Sequence, residues 1–122
     1  EYARTRETFG QALATREGVS FQIAEHLALV HAARLVAYET LSHADAGRRH
    51  ATEAAMAKWL GPKHAGEAIH ACITLHGWSG FNDDMPFAQR LNDVIGLQVG
   101  DGTPEIMKAV IAREAIGVVS HR

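Results

Sequence analysis

The sequence predicts an all-α fold, an antiparallel four-helix-type bundle in which residues 1–122 form one domain. Three observations predict it. Apolar residues recur at helical spacing through two long stretches. Alanine, the strongest helix former, crowds the second of them. No segment of useful length alternates apolar and polar residues with the two-residue period of a strand. A chain of 122 residues, 47% hydrophobic and 21% charged, has the size and mixture of one soluble globular core.

The elements follow in order. Glu1 to Thr8 reads as the tail of a helix already under way, and the sequence opens without Met, so a piece of a longer protein is expected. Val19, Ile23, Leu27, Val30, Ala37 and Leu41 form one stripe; Phe21, Ala24, Ala28, Leu35 and Tyr38 form its neighbour. Together they predict a helix over about 17–44 with a wide buried face, stopped by Asp45-Ala46-Gly47. A second long helix is predicted over about 48–76, narrowed by Ala54, Ala55, Ala57, Ala65, Ala68 and Ala71. Pro62 lacks a backbone donor and crowds the preceding turn, which predicts a kink or a short break. Gly77 to Asp84 reads as a loop. Pro86 suits the first turn of a short helix over about 86–97 that buries Phe87, Leu91, Val94 and Ile95. Gly100-Asp101-Gly102 is a tight turn. Thr103 as N-cap, Pro104 as first helical residue and Glu105 as first-turn acid open a last helix over about 104–119, burying Ile106, Val110, Ile111 and Ile116.

Charge and composition exclude several roles. A formal net charge of -2 gives no electrostatic reason to expect nucleic acid as a partner. The most apolar stretch, Leu27 to Tyr38, is too short and too polar to span a bilayer, and no polybasic run marks a membrane surface. The charged N-terminus does not read as a signal peptide, and the single Cys72 cannot form an internal disulfide; a reducing, cytoplasmic compartment is expected. Glu67-x-x-His70 matches one half of a di-iron bundle motif, yet no second pair appears and Glu39 is followed by Ser42 rather than His. His64, His70 and His76 repeat every six residues, which scatters them around a helix, so they read as solvated and no metal is expected. Cys72 reads as a small core residue.

Three stretches together resemble the acyl-CoA dehydrogenase family and cover nearly the whole chain. Arg6-Glu7-Thr8-Phe9-Gly10 is similar to the family's R-x-x-F-G, and Gly77-Trp78-Ser79-Gly80-Phe81 to its G-G-x-G-[FY]. Asp101-Gly102-Thr103-Pro104-Glu105-Ile106 is similar to E-G-T-x-E-I, followed by Ile111-Ala112-Arg113 for I-A-R; Met56-Ala57-Lys58 also fits. Gly80 and Thr103 stand at the family's spacing. The resemblance implies the C-terminal helical domain of an FAD-dependent enzyme that oxidises an acyl-CoA thioester to the 2-enoyl-CoA. It also implies a homo-oligomer, dimer or tetramer, with each FAD gripped partly by a neighbouring subunit. An electron acceptor such as an electron-transfer flavoprotein is implied as partner. The domain by itself is expected to be inactive.

The resemblance places Asp101 where the family carries a catalytic glutamate. A base is needed because the α-proton of a thioester is weakly acidic. Asp is shorter than Glu by one C–C bond, about 1.5 Å, so the substitution shifts the backbone or selects another substrate shape. Within the family the base stands at this turn or on an earlier helix outside this sequence, and a turn aspartate beside Gly102 has the same local signature. Arg6 and Phe9 match positions that contact FAD across the subunit interface; a guanidinium suits a pyrophosphate, and Phe9 reads equally as a core plug. Gly77 and Trp78 match the loop approaching the adenosine end, with Thr74 where a Gln is usual. Trp78 replaces a glycine, so it stacks on the adenine or excludes it. Thr103 and Glu105 match positions near the flavin and adenine ends, and both also suffice as helix-start residues. Glu17 and Asn92 are further departures from the family pattern. Trp78, Thr74 and Glu17 motivate a rival reading, a non-catalytic helical oligomerisation module that has lost full flavin binding.

Overall fold

The computed structural model describes residues Glu1–Gly117. The chain opens with a single helical turn, α1 (Tyr2–Thr5), and a two-stranded antiparallel hairpin, β1 (Glu7–Thr8) and β2 (Gln11–Ala12). The expected helix tail over residues 1–8 therefore ends early. Phe9 and Gly10 form the turn, with φ of 52° and 75°. Two positive φ values in a two-residue turn match the twist of paired strands. Strands of two residues are too short to carry a periodic signal, which is why the sequence does not show them.

A short 3₁₀ turn, Leu13–Thr15, leads into α2 (Glu17–Asp45). Gly47 closes α2 with φ 65° and an N–H donated to the Ala44 carbonyl, a left-handed stop suited to glycine. Next comes α3 (Ala51–His76). It runs unbroken through Pro62, so the short break is not present. The acceptor Pro62 does contribute, its carbonyl, takes a hydrogen bond from Gln98 Nε2 at 3.2 Å. The expected loop at 77–84 contains one helical turn, α4 (Trp78–Phe81). Pro86 is the residue before α5 (Phe87–Val99) rather than within its first turn. Finally α6 (Pro104–Ile116) starts on Pro104 and ends at Gly117 in the left-handed conformation. Val118 and Val119, the predicted end of the last helix, lie outside the described residues.

Helix α3 is the hub: α2, α4, α5 and α6 all pack on it. Small residues make this possible. Among the described residues the buried positions are Ala3, Ala33, Ala55, Gly66, Ala71 and Gly80. A Cβ on Gly66 would stand 3.3 Å from Gln98 and 3.5 Å from Val94, so α5 crosses where α3 is thinnest. Arg49, in the connection before α3, and Glu114 of α6 pair at 2.5 Å, and Lys108 of α6 lies 5.0 Å from the ring centre of Trp59 on α3.

The two apolar stripes of α2 depart from expectation. Only one flank of α2 meets α3. Phe21, Leu27, Leu35, Tyr38 and Leu41 are exposed by half or more. Ile95, Ile106 and Ile116 are also exposed rather than buried. Among the described residues nothing else covers them, because α5 and α6 pack on α3.

Candidate functional site

Asp101 sits on the turn between α5 and α6 with φ 55°. Its side chain is exposed and lines an open cavity of about 530 Å³. The walls come from Ala54, Ala55 and Lys58 of α3, Leu97 of α5 and Met107 and Val110 of α6. Gly102, at φ 112°, supplies a backbone conformation that side chains rarely adopt. Among the described residues Asp101 forms no ion pair. Thr103 occupies the N-cap position of α6, but its hydroxyl makes no cap bond to the backbone. Glu105 is exposed, and its carboxyl is held below the ordinary carboxylate value, first by its own backbone N–H and then by the Thr103 hydroxyl. Both residues stand at the start of α6, beside Asp101.

The other candidates gather at the opposite end of α3. Tyr2 stacks on His76 with ring centres 4.0 Å apart, which brings α1 and the hairpin to the α3 terminus. His76 also lies 4.9 Å from Phe87, and its Nδ1 meets the Cys72 carbonyl at 2.7 Å. His76 is thus a packed residue, and the His64 side chain, only 12% exposed, contacts Glu67 at 3.0 Å. The expectation of solvated histidines fails for both; His70 is exposed. Glu67 is held below its ordinary value by bonds from Lys63 first and His64 second. Among the described residues no three potential metal ligands cluster. Cys72 is half-buried, on an apolar cavity of about 290 Å³ between α2 and α3 that holds none of the candidate residues.

At this end Arg6 follows α1 with its side chain exposed and in no ion pair with the described residues. Phe9 is 97% exposed at the hairpin tip, 5.6 Å from the Arg16 guanidinium, so it is not a core plug. Gly77 has φ 63° and takes the Gly80 N–H on its carbonyl. A Cβ on Gly80 would strike the Ile73 carbonyl at 2.6 Å, so the fold demands glycine at 80. It makes no such demand at 78. Trp78 points outward, 82% exposed, and its indole is tilted on Phe81 at 5.6 Å. Thr74 uses its hydroxyl on the Ala71 carbonyl of its own helix.

The candidates thus form two groups. About twenty residues of α3 separate the Asp101 cavity from Gly77, a span of about 30 Å at helical rise. Sequence reasoning missed Lys58 as a member of the Asp101 group. A lysine on an alanine-rich helix looks solvated, and its partners lie some 40 positions away.

The model of the acyl-CoA dehydrogenase C-terminal domain matches residues 1–116. The chain belongs to the acyl-CoA dehydrogenase family. It is 30% identical over 115 residues to the probable acyl-CoA dehydrogenase YngJ of Bacillus subtilis, covering 94% of this chain and 30% of that protein. Butyryl-CoA dehydrogenase of Megasphaera elsdenii superposes with a TM-score of 0.89 at 25% identity, covering 93% of this chain and 30% of that one. The FAD complex of PigA does so with a TM-score of 0.89 at 26% identity and the same coverage, 93% and 30%. The chain therefore spans about a third of the length of the relatives it matches, at their C-terminal domain. No helix among the described residues is long and apolar enough to cross a membrane.

The residues present have the chemistry that an FAD would need. Arg6 offers five guanidinium donors that no described carboxylate occupies. Trp78 offers an exposed ring for stacking. A Cβ built at Gly77 meets nothing within 4 Å, which leaves that backbone open to approach.

Proposed function

We propose that this chain is the C-terminal domain of an FAD-dependent acyl-CoA dehydrogenase in which Asp101 is the base. The observation that carries this reading is the left-handed backbone at Asp101, which sets a carboxylate with no ion-pair partner among the described residues on an open, largely apolar cavity. A non-glycine residue in that conformation is uncommon, and such strain gathers at functional sites. The Asp101 carboxylate takes the α-proton of the acyl thioester and becomes the neutral acid. The α-C–H electron pair becomes the new C=C bond as the β-hydrogen leaves with its own pair. Bound FAD supplies the acceptor for that hydride. The substrate thereby loses a proton and a hydride.

Arg6 is assigned to the FAD pyrophosphate, Phe9 to a further FAD contact across the subunit interface, Thr74, Gly77 and Trp78 to its adenosine-pyrophosphate part, and Thr103 and Glu105 to its flavin and adenine ends. The separation of about 30 Å supports giving the two ends to different FAD molecules of a homo-oligomer, dimer or tetramer. An electron-transfer flavoprotein as acceptor and a cytoplasmic site complete the reading.

The test uses the complete protein. Asp101→Asn should keep FAD bound and slow anaerobic flavin bleaching by an acyl-CoA by about 10²–10⁴-fold. Unchanged bleaching moves the base elsewhere. A colourless but stable parent oligomer supports the assembly module instead.

A further inference from the structure

Lys58 lies two turns into α3, and its amino group donates to two main-chain oxygens at the end of α5. One is the Leu97 carbonyl, in the last turn. The other is the Gly100 carbonyl, at 2.8 Å. These belong to the carbonyls that a helix end leaves without intrahelical donors. They also mark the negative end of the helix dipole, where a cation is favoured. The Gly100 carbonyl belongs to the peptide that joins Gly100 to Asp101, and Gly100 itself is extended, with ψ 145°. Fixing that peptide plane fixes the axis about which the Asp101 φ of 55° turns. A strained φ persists only where surroundings over-determine it. The other bond at this corner, Gly100 N–H to the Gly96 carbonyl at 2.8 Å, holds the opposite side of Gly100. The Lys58 stem lines the same cavity as Asp101.

We infer that Lys58 is a positioning residue: it anchors the Gly100–Asp101 peptide to α3 and so aims the Asp101 carboxylate into its cavity. This rests on the reading of Asp101 as the base. Lys58 touches no substrate atom in this role; it acts through the turn. Proton abstraction is sensitive to displacements of about 1 Å, which cost up to about 100-fold.

The experiment uses the complete flavoprotein and the fastest-bleaching member of a butanoyl-CoA to palmitoyl-CoA series. Lys58→Met keeps the stem and removes the donors. It is expected to retain FAD and half-saturation by acyl-CoA, to slow anaerobic bleaching about 10- to 100-fold, and to raise the isotope effect of the α-deuterated substrate. Lys58→Gln, with a shorter reach, should show the same loss and carries the test if the Met variant does not accumulate. In an Asp101→Asn background, Lys58→Met should add almost nothing, because both changes remove one function. A full multiplicative effect there, parent-like bleaching by either FAD-replete single variant, or failure of both to hold FAD overturns the positioning role. Parent-like bleaching by Asp101→Asn, or a parent that no member of the series bleaches, overturns the base itself.

Discussion

Phe9 and Asp101 are the two non-glycine residues with positive φ among the described residues. One tips the hairpin and the other opens the α6 turn, and each is a candidate that the family resemblance marks. At Phe9 the hairpin turn calls for that conformation, whereas Asp101 holds it in the turn between two helices, beside an open cavity. Trp78 adds a third argument at this scale. Its exposure means that folding does not depend on it, since surface changes usually stay within about 0.5 kcal/mol. We therefore expect Trp78→Ala and Arg6→Ala to leave the denaturation midpoint of the FAD-free complete protein unchanged and to lower the FAD content of the loaded protein after dialysis. Equal cofactor content in variant and parent would remove both from the binding role. Arg6, Trp78 and Asp101 stand out as candidates in the sequence because motif and spacing mark them. Lys58 does not, because nothing local in an alanine-rich helix announces a bond to a carbonyl 42 positions on.

Among the elements, α3 explains most of the architecture. The long helices and the α6 start were legible, since apolar spacing, Gly47 and Thr103-Pro104 are local signals. The unbroken passage through Pro62 was not. Packing by α2 on one flank and α5 and α6 on the other holds the helix where propensity argues for a break. Turn α4 was hidden for a similar reason: Gly80 is chosen by closeness to Ile73, which only the fold brings about. Two alanine substitutions separate these effects. At Gly80 the new methyl would meet the Ile73 carbonyl at 2.6 Å and His76 Cβ at 2.7 Å, so Gly80→Ala should destabilise by about 1–3 kcal/mol. At Gly61 it meets nothing within 4 Å, so Gly61→Ala should stabilise α3 by up to about 1 kcal/mol. Chemical denaturation of the two variants beside the parent checks the order, and equal midpoints would contradict it.

For the molecule as a whole, the fold class was legible and the burial was not. Stripes such as Phe21-Ala24-Ala28-Leu35-Tyr38 announce an apolar face, but periodicity does not say whether the cover comes from the same chain. Among the described residues nothing covers this face, and exposed patches of this kind mark surfaces that meet other protein. The alanine and glycine interior has a consequence for calorimetry. Melting such a chain wets little oil that was dry before. Apolar hydration sets the heat-capacity step of unfolding, commonly about 12–15 cal/mol/K per residue. For this polypeptide studied by itself that step should fall well short, with a correspondingly weak response to urea. A scanning calorimeter would register a low, broad transition, and a full-sized step would mean that α2 had found its cover by self-association.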